Sequence, residues 1–492
     1  MIGASTLALV ASPLVAAAIC VLAGRCVRVA EFANLAASIV CLVCALVLAF
    51  HVDGASTMLF GYVLVDAFAA WTLLCTTLVY CLASIYAVGY MRLLAEERER
   101  LPRFYALFAL FAATMIAGPL MNNIGVYWIA IELTTLVSTF LVGFERGEEA
   151  IEAAWKYIIV VSAGISLALL GTVLFYWAGS LVIGPTYDAT WDTLRHAAPK
   201  MNPALTRLAF LLVLVGYGTK AGLAPMHTWL PDAHSEGPAP VSAMLSGALL
   251  NTAMLGIARF LTITDAAGLP GVPRTVLIAM GAFSLVIAAL FIVRQQGVKR
   301  LMAYSSIEHM GVLALGLGFG GPLAIAAVLY HMLNHSLAKS LMFFGAGNAM
   351  RVIGTKSIGG LRDVWGRFPV TGALWLAGAV AITGAPPFGL FMSELTLMRA
   401  GFATSNAWAV IVLLVLLIVI FVGFLNHFRA MYLEVESAER PLPRASDVVA
   451  SAWMTTPMWL ALIPVFMFGI WWPQGLWHFF ATVAADLGGP TR

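Results

Sequence analysis

Long apolar stretches follow one another along almost the whole chain, separated by short polar connections. Most contain about 20 residues, which is the length that crosses a bilayer as a helix. The pattern therefore predicts an all-α polytopic membrane protein with about 14 transmembrane helices. The predicted spans are residues 3–24, 32–51, 68–91, 104–121, 123–143, 154–178, 205–224, 241–262, 274–294, 300–320, 322–349, 369–402, 406–432 and 452–473.

Glycine and proline interrupt spans 7 and 12, at Gly216–Pro225 and Gly384–Gly389. Proline lacks an amide donor, and open backbone at membrane depth is tolerated where it lines a cavity. The breaks lie five spans apart, which predicts two inverted five-helix repeats over spans 4–8 and 9–13. The predicted divisions are the N-terminal helices 1–103, the first repeat 104–262, the second repeat 274–432, and the last helix with its tail 433–492.

Arginine and lysine are distributed unequally between the two sides of the predicted spans. Seventeen lie in the connections after spans 1, 3, 5, 9, 11 and 13, among them Arg440 and Arg444, and six lie on the other side. Basic loops stay on the cytoplasmic side of a membrane. We therefore expect a protein of the bacterial inner membrane with both termini on the outer, periplasmic side.

The composition agrees with this picture, because 61% of the residues are hydrophobic and only 10% are charged. A soluble surface needs more charge, which excludes a cytosolic enzyme and a secreted scaffold. The net charge of +3 gives no reason to expect nucleic acid as a partner. The six cysteines lie in or beside the first three spans without metal-site spacing. We expect no catalytic, cofactor-binding or metal-binding residues in this chain, and membrane lipids around it.

Three lysines and three glutamates fall inside predicted spans. Each costs about 2.5–3.5 kcal/mol at the bilayer centre, so such residues face a bundle interior or a wet cavity and mark proton or ion paths. The alternative is a static ion pair that only fixes helix packing, and Lys156 has a partner one turn away in Glu152. The six residues are Glu132, Lys156, Lys220, Glu308, Lys339 and Glu394.

His331, His335 and Lys339 recur at intervals of four, which places them in one stripe on a helix. Imidazoles titrate near physiological pH, so the stripe favours a proton relay. A zinc site is a weaker interpretation, because the sequence offers no obvious third ligand, and a purely structural role for the histidines is a further alternative. His227 and His234 follow the break in span 7 and either feed the same path or line the loop.

Taken together, these motifs resemble the antiporter-like membrane subunits of respiratory complex I, of Mrp-type cation/proton antiporters and of group 4 hydrogenases. Residues 150–157 and 333–340 are most similar to component F of hydrogenase-4. The matching motifs are Trp128-Ile-Ala-Ile-Glu132, Lys156-Tyr157, Lys220, Pro225-Met-His227-Thr-Trp229-Leu-Pro-Asp-Ala-His234, the motif from Lys299-Arg300 to His309, the stripe on span 11, and Pro387-Phe-Gly-Leu-Phe-Met-Ser-Glu394.

The resemblance implies roles for individual residues. Glu132 and Lys220 would form the proton-input pair, the span 11 stripe would form the connection, and Glu394 would be the exit. Lys156, His227, His234 and Glu308 are auxiliary candidates. Asn251 stands where many members of the family carry a lysine in span 8, and an asparagine orders water but does not titrate.

The resemblance also implies a setting. The chain would couple electron transfer to proton movement in a complex of the hydrogenase-4 or formate hydrogenlyase type. Its partners would be other antiporter-like membrane subunits and a hydrophilic redox arm, and iron–sulfur clusters with NiFe or flavin groups would lie only in partner subunits. The alternatives are a complex I subunit, an Mrp-type antiporter subunit, and an energy-coupling subunit for inorganic carbon uptake.

Overall fold

The computed structural model describes residues 1–52, 54–433 and 451–487, so Arg440, Arg444 and much of the predicted 433–492 segment lie outside the described residues. A hairpin of β1 (Ser56–Met58) and β2 (Val63–Val65) joins two of the helices. The α-helices are α1 Ile2–Leu22, α2 Val27–His51, α3 Ala67–Met91, α4 Leu101–Leu120, α5 Ile124–Val142, α6 Glu148–Ile183, α7 Trp191–Ala197, α8 Pro203–Ala221, α9 Trp229–Glu236, α10 Ala239–Met244, α11 Leu250–Ala266, α12 Gly271–Val293, α13 Val298–Phe319, α14 Gly321–Ile353, α15 Val364–Arg367, α16 Pro369–Ile382, α17 Gly389–Ala403, α18 Ala407–Leu433, α19 Ala452–Ile470 and α20 Gln474–Asp486.

The prediction of an all-α membrane protein is confirmed. Within the described residues, eleven helical stretches are long and apolar enough to cross a membrane. One of them runs from α10 to α11 through a π-helical turn at Leu245–Leu249. The remaining predicted spans coincide with α13 and α14, which are long but more polar, and with the pair α16 and α17. The total of 14 crossings stays a prediction.

Both predicted helix breaks are present, although the first is shorter than predicted, because α8 continues through Gly216 to Ala221. The first separates α8 from α9 and the second separates α16 from α17. Each begins at a glycine with a left-handed backbone, Gly222 at φ +76° and Gly384 at φ +67°, a conformation that other residues rarely adopt. A cis proline follows three residues later in each break, at Pro225 and at Pro387. The inverted-repeat relation between the two halves stays a prediction.

The helices form a buried centre and an exposed periphery. Every residue in the apolar window of the α10–α11 stretch is buried, as are 83% of those in α3, whereas only 33% are buried in α1 and α2. Nearly all of α13 and most of α14 are also buried. The peripheral helices therefore present apolar side chains to the lipid, and the central helices can carry polar ones.

Two ion pairs tie α3 to its neighbours. Asp66 caps α3 by accepting a hydrogen bond from the backbone nitrogen of Ala69 at 2.7 Å. The same carboxylate accepts two hydrogen bonds from Arg259 on α11, at 2.8 and 2.9 Å. At the other end of α3, Arg92 pairs with the buried Glu31 of α2 at 2.6 Å. Each of these charges is paired with an opposite charge, and the pairs hold the helices in place.

Small residues allow α6 and α8 to cross closely. A methyl group on Gly216 of α8 would lie 2.5 Å from the backbone nitrogen of Ala168 and 2.7 Å from the carbonyl oxygen of Gly164. A methyl group on Gly171 of α6 would lie 2.7 Å from the carbonyl oxygen of Ala209. Such contacts drive helix association where the lipid offers no hydrophobic gain. The crossing fixes α8, and with it Lys220, against α6.

We expect the Gly216→Ala variant to be less stable by about 1–3 kcal/mol, because the added methyl group overpacks the crossing. Gly218→Ala is the matched control two residues away, where the nearest atom to the new methyl group is 3.4 Å distant. The thermal unfolding midpoint of the purified chain should fall for the first variant and stay unchanged or rise for the second. Equal midpoints would contradict the close crossing.

Candidate functional site

Lys220 lies at the end of α8, fully buried, and reaches α5 and α6 through hydroxyl groups. Its Nζ donates to Thr135 Oγ1 at 2.8 Å and to Tyr157 OH at 3.0 Å. Thr135 Oγ1 donates in turn to Glu132 Oε2 at 3.3 Å, and Ser162 Oγ donates to Glu132 Oε1 at 2.9 Å. The predicted Glu132–Lys220 pair is therefore bridged by a threonine hydroxyl and is not a direct ion pair.

Thr135 and Tyr157 were not among the candidate site residues predicted from the sequence. Thr135 follows Glu132 by three positions on α5, so helical periodicity places both on one face. Tyr157 belongs to the Lys156-Tyr157 motif, and its ring packs against that of Trp229 at 4.8 Å between centroids. A search for hydroxyl groups one turn from each buried charge would have identified Thr135.

Lys156 does not face the bundle interior. Its side chain is 52% exposed and pairs with Glu152 at 2.6 Å and with Asp232 at 3.6 Å. The expectation that Lys156 faces the bundle interior or a wet cavity is therefore wrong, because its side chain lies on the exposed face of α6. The alternative of a local pair with Glu152 is the one observed.

The short helix α9 links the Lys220 region to the centre of the protein. Trp229 at its start donates to the Thr219 carbonyl at 2.8 Å, and His234 on its last turns stacks on Phe343 of α14 at 5.0 Å between centroids. His234 is fully buried, and neither ring nitrogen has a hydrogen-bond partner among the described residues. His227 lies in the turn before α9, mostly buried, with its ring facing Tyr304.

Asn251 sits beside the π-helical turn that precedes α11. Its Nδ2 donates to Ser336 Oγ at 2.9 Å and to the Gly247 carbonyl at 3.1 Å. Ser336 Oγ also lies 2.6 Å from that carbonyl, which the π-helical turn has left available. Within the described part of the chain, Asn251 Oδ1 has no partner. The asparagine is thus anchored by its amide nitrogen and presents its oxygen to the buried interior.

His331, His335 and Lys339 lie on α14, each at most 1% exposed. Lys339 Nζ donates to the Met302 carbonyl of α13 at 2.8 Å. Neither ring nitrogen of His335 finds a partner in the portion of the chain that the structure describes. The His331 and His335 rings lie nearly parallel, 6.4 Å apart between centroids, so the stripe runs along one face of α14.

His309 on α13 contacts the stripe on α14. In the sequence it stands out only as the last residue of the motif that begins at Lys299-Arg300. Its Nδ1 shares a hydrogen bond with His331 Nε2 at 3.1 Å, and His331 Nδ1 lies 2.9 Å from Ser393 Oγ. Ser393 donates its single hydroxyl proton to the Leu390 carbonyl at 2.7 Å. The network therefore assigns the proton of His331 to Nδ1 and makes its Nε2 the acceptor from His309.

Glu308 and Glu394 are the buried carboxylates of this region. Glu308 is 1% exposed, and neither of its oxygens has a hydrogen-bond partner among residues 1–52, 54–433 and 451–487. Glu394 is 4% exposed, and its Oε1 is likewise unpartnered there. Lys339 interacts electrostatically with Glu308, and Glu308 interacts electrostatically with Glu394. Buried polar atoms without protein partners are satisfied by water.

The structure brings together three side chains that could ligate a metal ion, whereas the sequence offered no obvious third ligand. Within the described residues, His309, His331 and Glu394 each bring one ligand atom within 4.8 Å of the others. The spacing on α14 gives no third ligand, because His309 belongs to α13 and Glu394 to α17. The direct hydrogen bond between the two histidines already accounts for their approach.

Residues 121–420 match the family described as NADH:quinone oxidoreductase/Mrp antiporter, transmembrane. The hydrogenase-4 component F homolog of Methylacidiphilum infernorum is 40% identical over 361 residues, which cover 73% of this chain and 74% of that protein.

Two solved structures share the fold. The membrane-bound sulfane sulfur reductase, an archaeal respiratory membrane complex, contains a chain with a TM-score of 0.86 at 24% identity, covering 99% of this chain and 98% of that one. The Mrp complex from Dietzia sp. contains one with a TM-score of 0.85 at 21% identity and the same coverage. Both neighbours are parts of multi-subunit membrane complexes. The resemblance in the motifs is confirmed, and the chain belongs to the NADH:quinone oxidoreductase/Mrp antiporter transmembrane family.

Proposed function

We propose that this chain conducts protons across the bacterial inner membrane as an antiporter-like subunit of a redox complex of the hydrogenase-4 or formate hydrogenlyase type. The observation that carries the proposal is the set of buried titratable side chains on α13, α14 and α17 whose polar atoms lack protein partners among the described residues. A merely structural set of charges would be fully paired, since an unsatisfied buried group is costly.

The Glu132–Thr135–Lys220 bridge is the input of this path. The threonine hydroxyl accepts from the lysine and donates to the carboxylate, so a change of charge at either end reorients it. Glu132 is only partly buried on α5, where a neighbouring subunit can act on it. A charge arriving there would shift the balance that holds the proton on Lys220.

The second half of the path runs from Lys339 to Glu394. A proton taken up at His309 Nε2 would release the Nδ1 proton to His331 Nε2, and His331 would pass its own Nδ1 proton towards Ser393. Glu394, whose carboxylate lies within 4.8 Å of a ring nitrogen of each of these histidines, would take up the proton and be the exit. His234, His335 and Asn251 present unpartnered atoms between the two halves, where water would complete the connection.

The remaining features of the proposal concern the setting. The redox groups, iron–sulfur clusters with NiFe or flavin, would lie in a hydrophilic arm, and other antiporter-like subunits would adjoin this one in the membrane. The relative at 40% identity supports the hydrogenase-4 type. The excess of arginine after odd-numbered spans supports both termini on the periplasmic side.

We expect Lys220→Met and Glu132→Gln each to reduce proton uptake to the background leak, because each removes one end of the bridge. The measurement is proton uptake into vesicles by the reconstituted complex, with its electron-transfer rate recorded in parallel. Lys156→Met is the matched control, since that lysine is exposed. Undiminished uptake in both variants would refute the proposed input.

The bridging hydroxyl can be tested separately. Thr135→Val keeps the shape of the side chain and removes the hydrogen bonds to Glu132 and Lys220, so proton uptake should fall by about tenfold or more. In Thr139→Val, one turn further along α5, only a bond to the Thr135 carbonyl is lost, and uptake should be retained. Equal rates for the two variants would mean that the hydroxyl bridge plays no part in transport.

The composition of the path also distinguishes protons from sodium. Hard cations require several oxygen ligands, and the path interposes lysines, which only donate, and histidines, which offer nitrogen, between its carboxylates. Proton uptake should therefore be the same in sodium-free potassium buffer as in sodium buffer. A requirement for sodium would instead favour an Mrp-type cation/proton antiporter subunit.

A further inference from the structure

A groove of about 490 Å³ lies between α4, α5 and α6, on the arginine-rich side of the protein. Arg100, Arg103 and Arg146 line it, together with apolar side chains that include Phe140 and Trp155. The groove is distinct from the buried path, because it opens at the outer surface of the bundle.

The lining of the groove contains three guanidinium groups and no acidic side chain. Arg100 is already engaged, since it pairs with Glu97 and donates to the Phe144 carbonyl at 3.2 Å. The side chains of Arg103 and Arg146 are exposed and make no hydrogen bond or ion pair with any other described residue. Two positive charges at this surface therefore have no counter-ion from the described part of the protein.

Three acidic residues near the groove, Glu145, Glu149 and Glu152, pair with cations outside it. Glu145 pairs with Arg351, and Glu149 pairs with Lys356 at 2.8 Å. Glu152 is taken by Lys156, as described above. The loop between α5 and α6 thus turns these carboxylates away from the groove and leaves Arg146 at its rim.

Below the arginines the wall of the groove is apolar and faces outward. Phe140 is 67% exposed, Ile151 is 46% exposed and Trp155 is 63% exposed. Aromatic side chains at this level are typical of the membrane–water interface. The groove thus offers positive charge at headgroup depth and a hydrocarbon surface beneath it.

We propose that this groove binds an anionic phospholipid, with the phosphate between Arg103 and Arg146 and an acyl chain along Phe140 and Ile151. Basic pockets between transmembrane helices on the cytoplasmic side bind such headgroups, and guanidinium groups suit the planar, two-pronged recognition of phosphate. A protein partner would instead need acidic side chains opposite the arginines and would cover the apolar wall.

The test is native mass spectrometry of the full chain titrated with phosphatidylglycerol or phosphatidylcholine. The double variant Arg103→Gln, Arg146→Gln should bind phosphatidylglycerol about thirtyfold more weakly, as expected for the loss of two arginine contacts. Arg25→Gln, Arg28→Gln is the matched control, because it removes the same charge from exposed positions outside the groove. That control should bind as the unmodified chain does.

A second double variant controls for the possibility that the glutamine substitutions disturb folding. Arg103→Lys, Arg146→Lys keeps the charge and should retain binding to within about fivefold. The lipid site would be overturned by equal weakening in the Arg25/Arg28 control, by equal binding of phosphatidylcholine, or by displacement of the lipid with millimolar inorganic phosphate. Side chains of a partner subunit filling the groove in a map of the assembled complex would also overturn it.

Discussion

A polar group inside a hydrocarbon layer must find its hydrogen-bond partners within the protein, and this constraint divides the buried charges into two sets. Asp66 and Arg259 neutralise each other through two hydrogen bonds and join α3 to α11. Glu308 and Glu394 keep oxygens that no described residue satisfies. The first set stabilises the packing of the helices, and the second set marks the sites where buried water must supply the missing hydrogen bonds.

Irregularities in the helices position the side chains of the proposed proton path. The break that begins at Gly222 ends α8 one residue after Lys220. The break that begins at Gly384 brings α17, with Ser393, against the histidines of α13 and α14. The π-helical turn before Asn251 leaves the Gly247 carbonyl available, and the side chains of Asn251 and Ser336 donate hydrogen bonds to it. At each of these places the regular helix hydrogen bonds are interrupted and side chains take over.

Much of this could be read from the sequence, because the relevant signals are local. Length and apolarity gave the spans, Gly222 and Gly384 lie within the two predicted breaks, and four-residue spacing placed the α14 stripe on one face. The rest depends on neighbours from other helices. The Thr135 bridge needs the rotation of α5 against α8, His309 needs the approach of α13 to α14, and the exposure of Lys156 depends on where α6 begins. Spacing along the chain contains none of these.

The central claim is that the unpartnered atoms between Lys339 and Glu394 are joined by water into a proton path. A cryo-electron microscopy map of the assembled complex, at a resolution that shows ordered water, tests it most directly. The account predicts water within hydrogen-bonding distance of the Glu308 carboxylate, the His335 ring and Glu394 Oε1. A dry interior, with these atoms in contact only with apolar side chains, would contradict it.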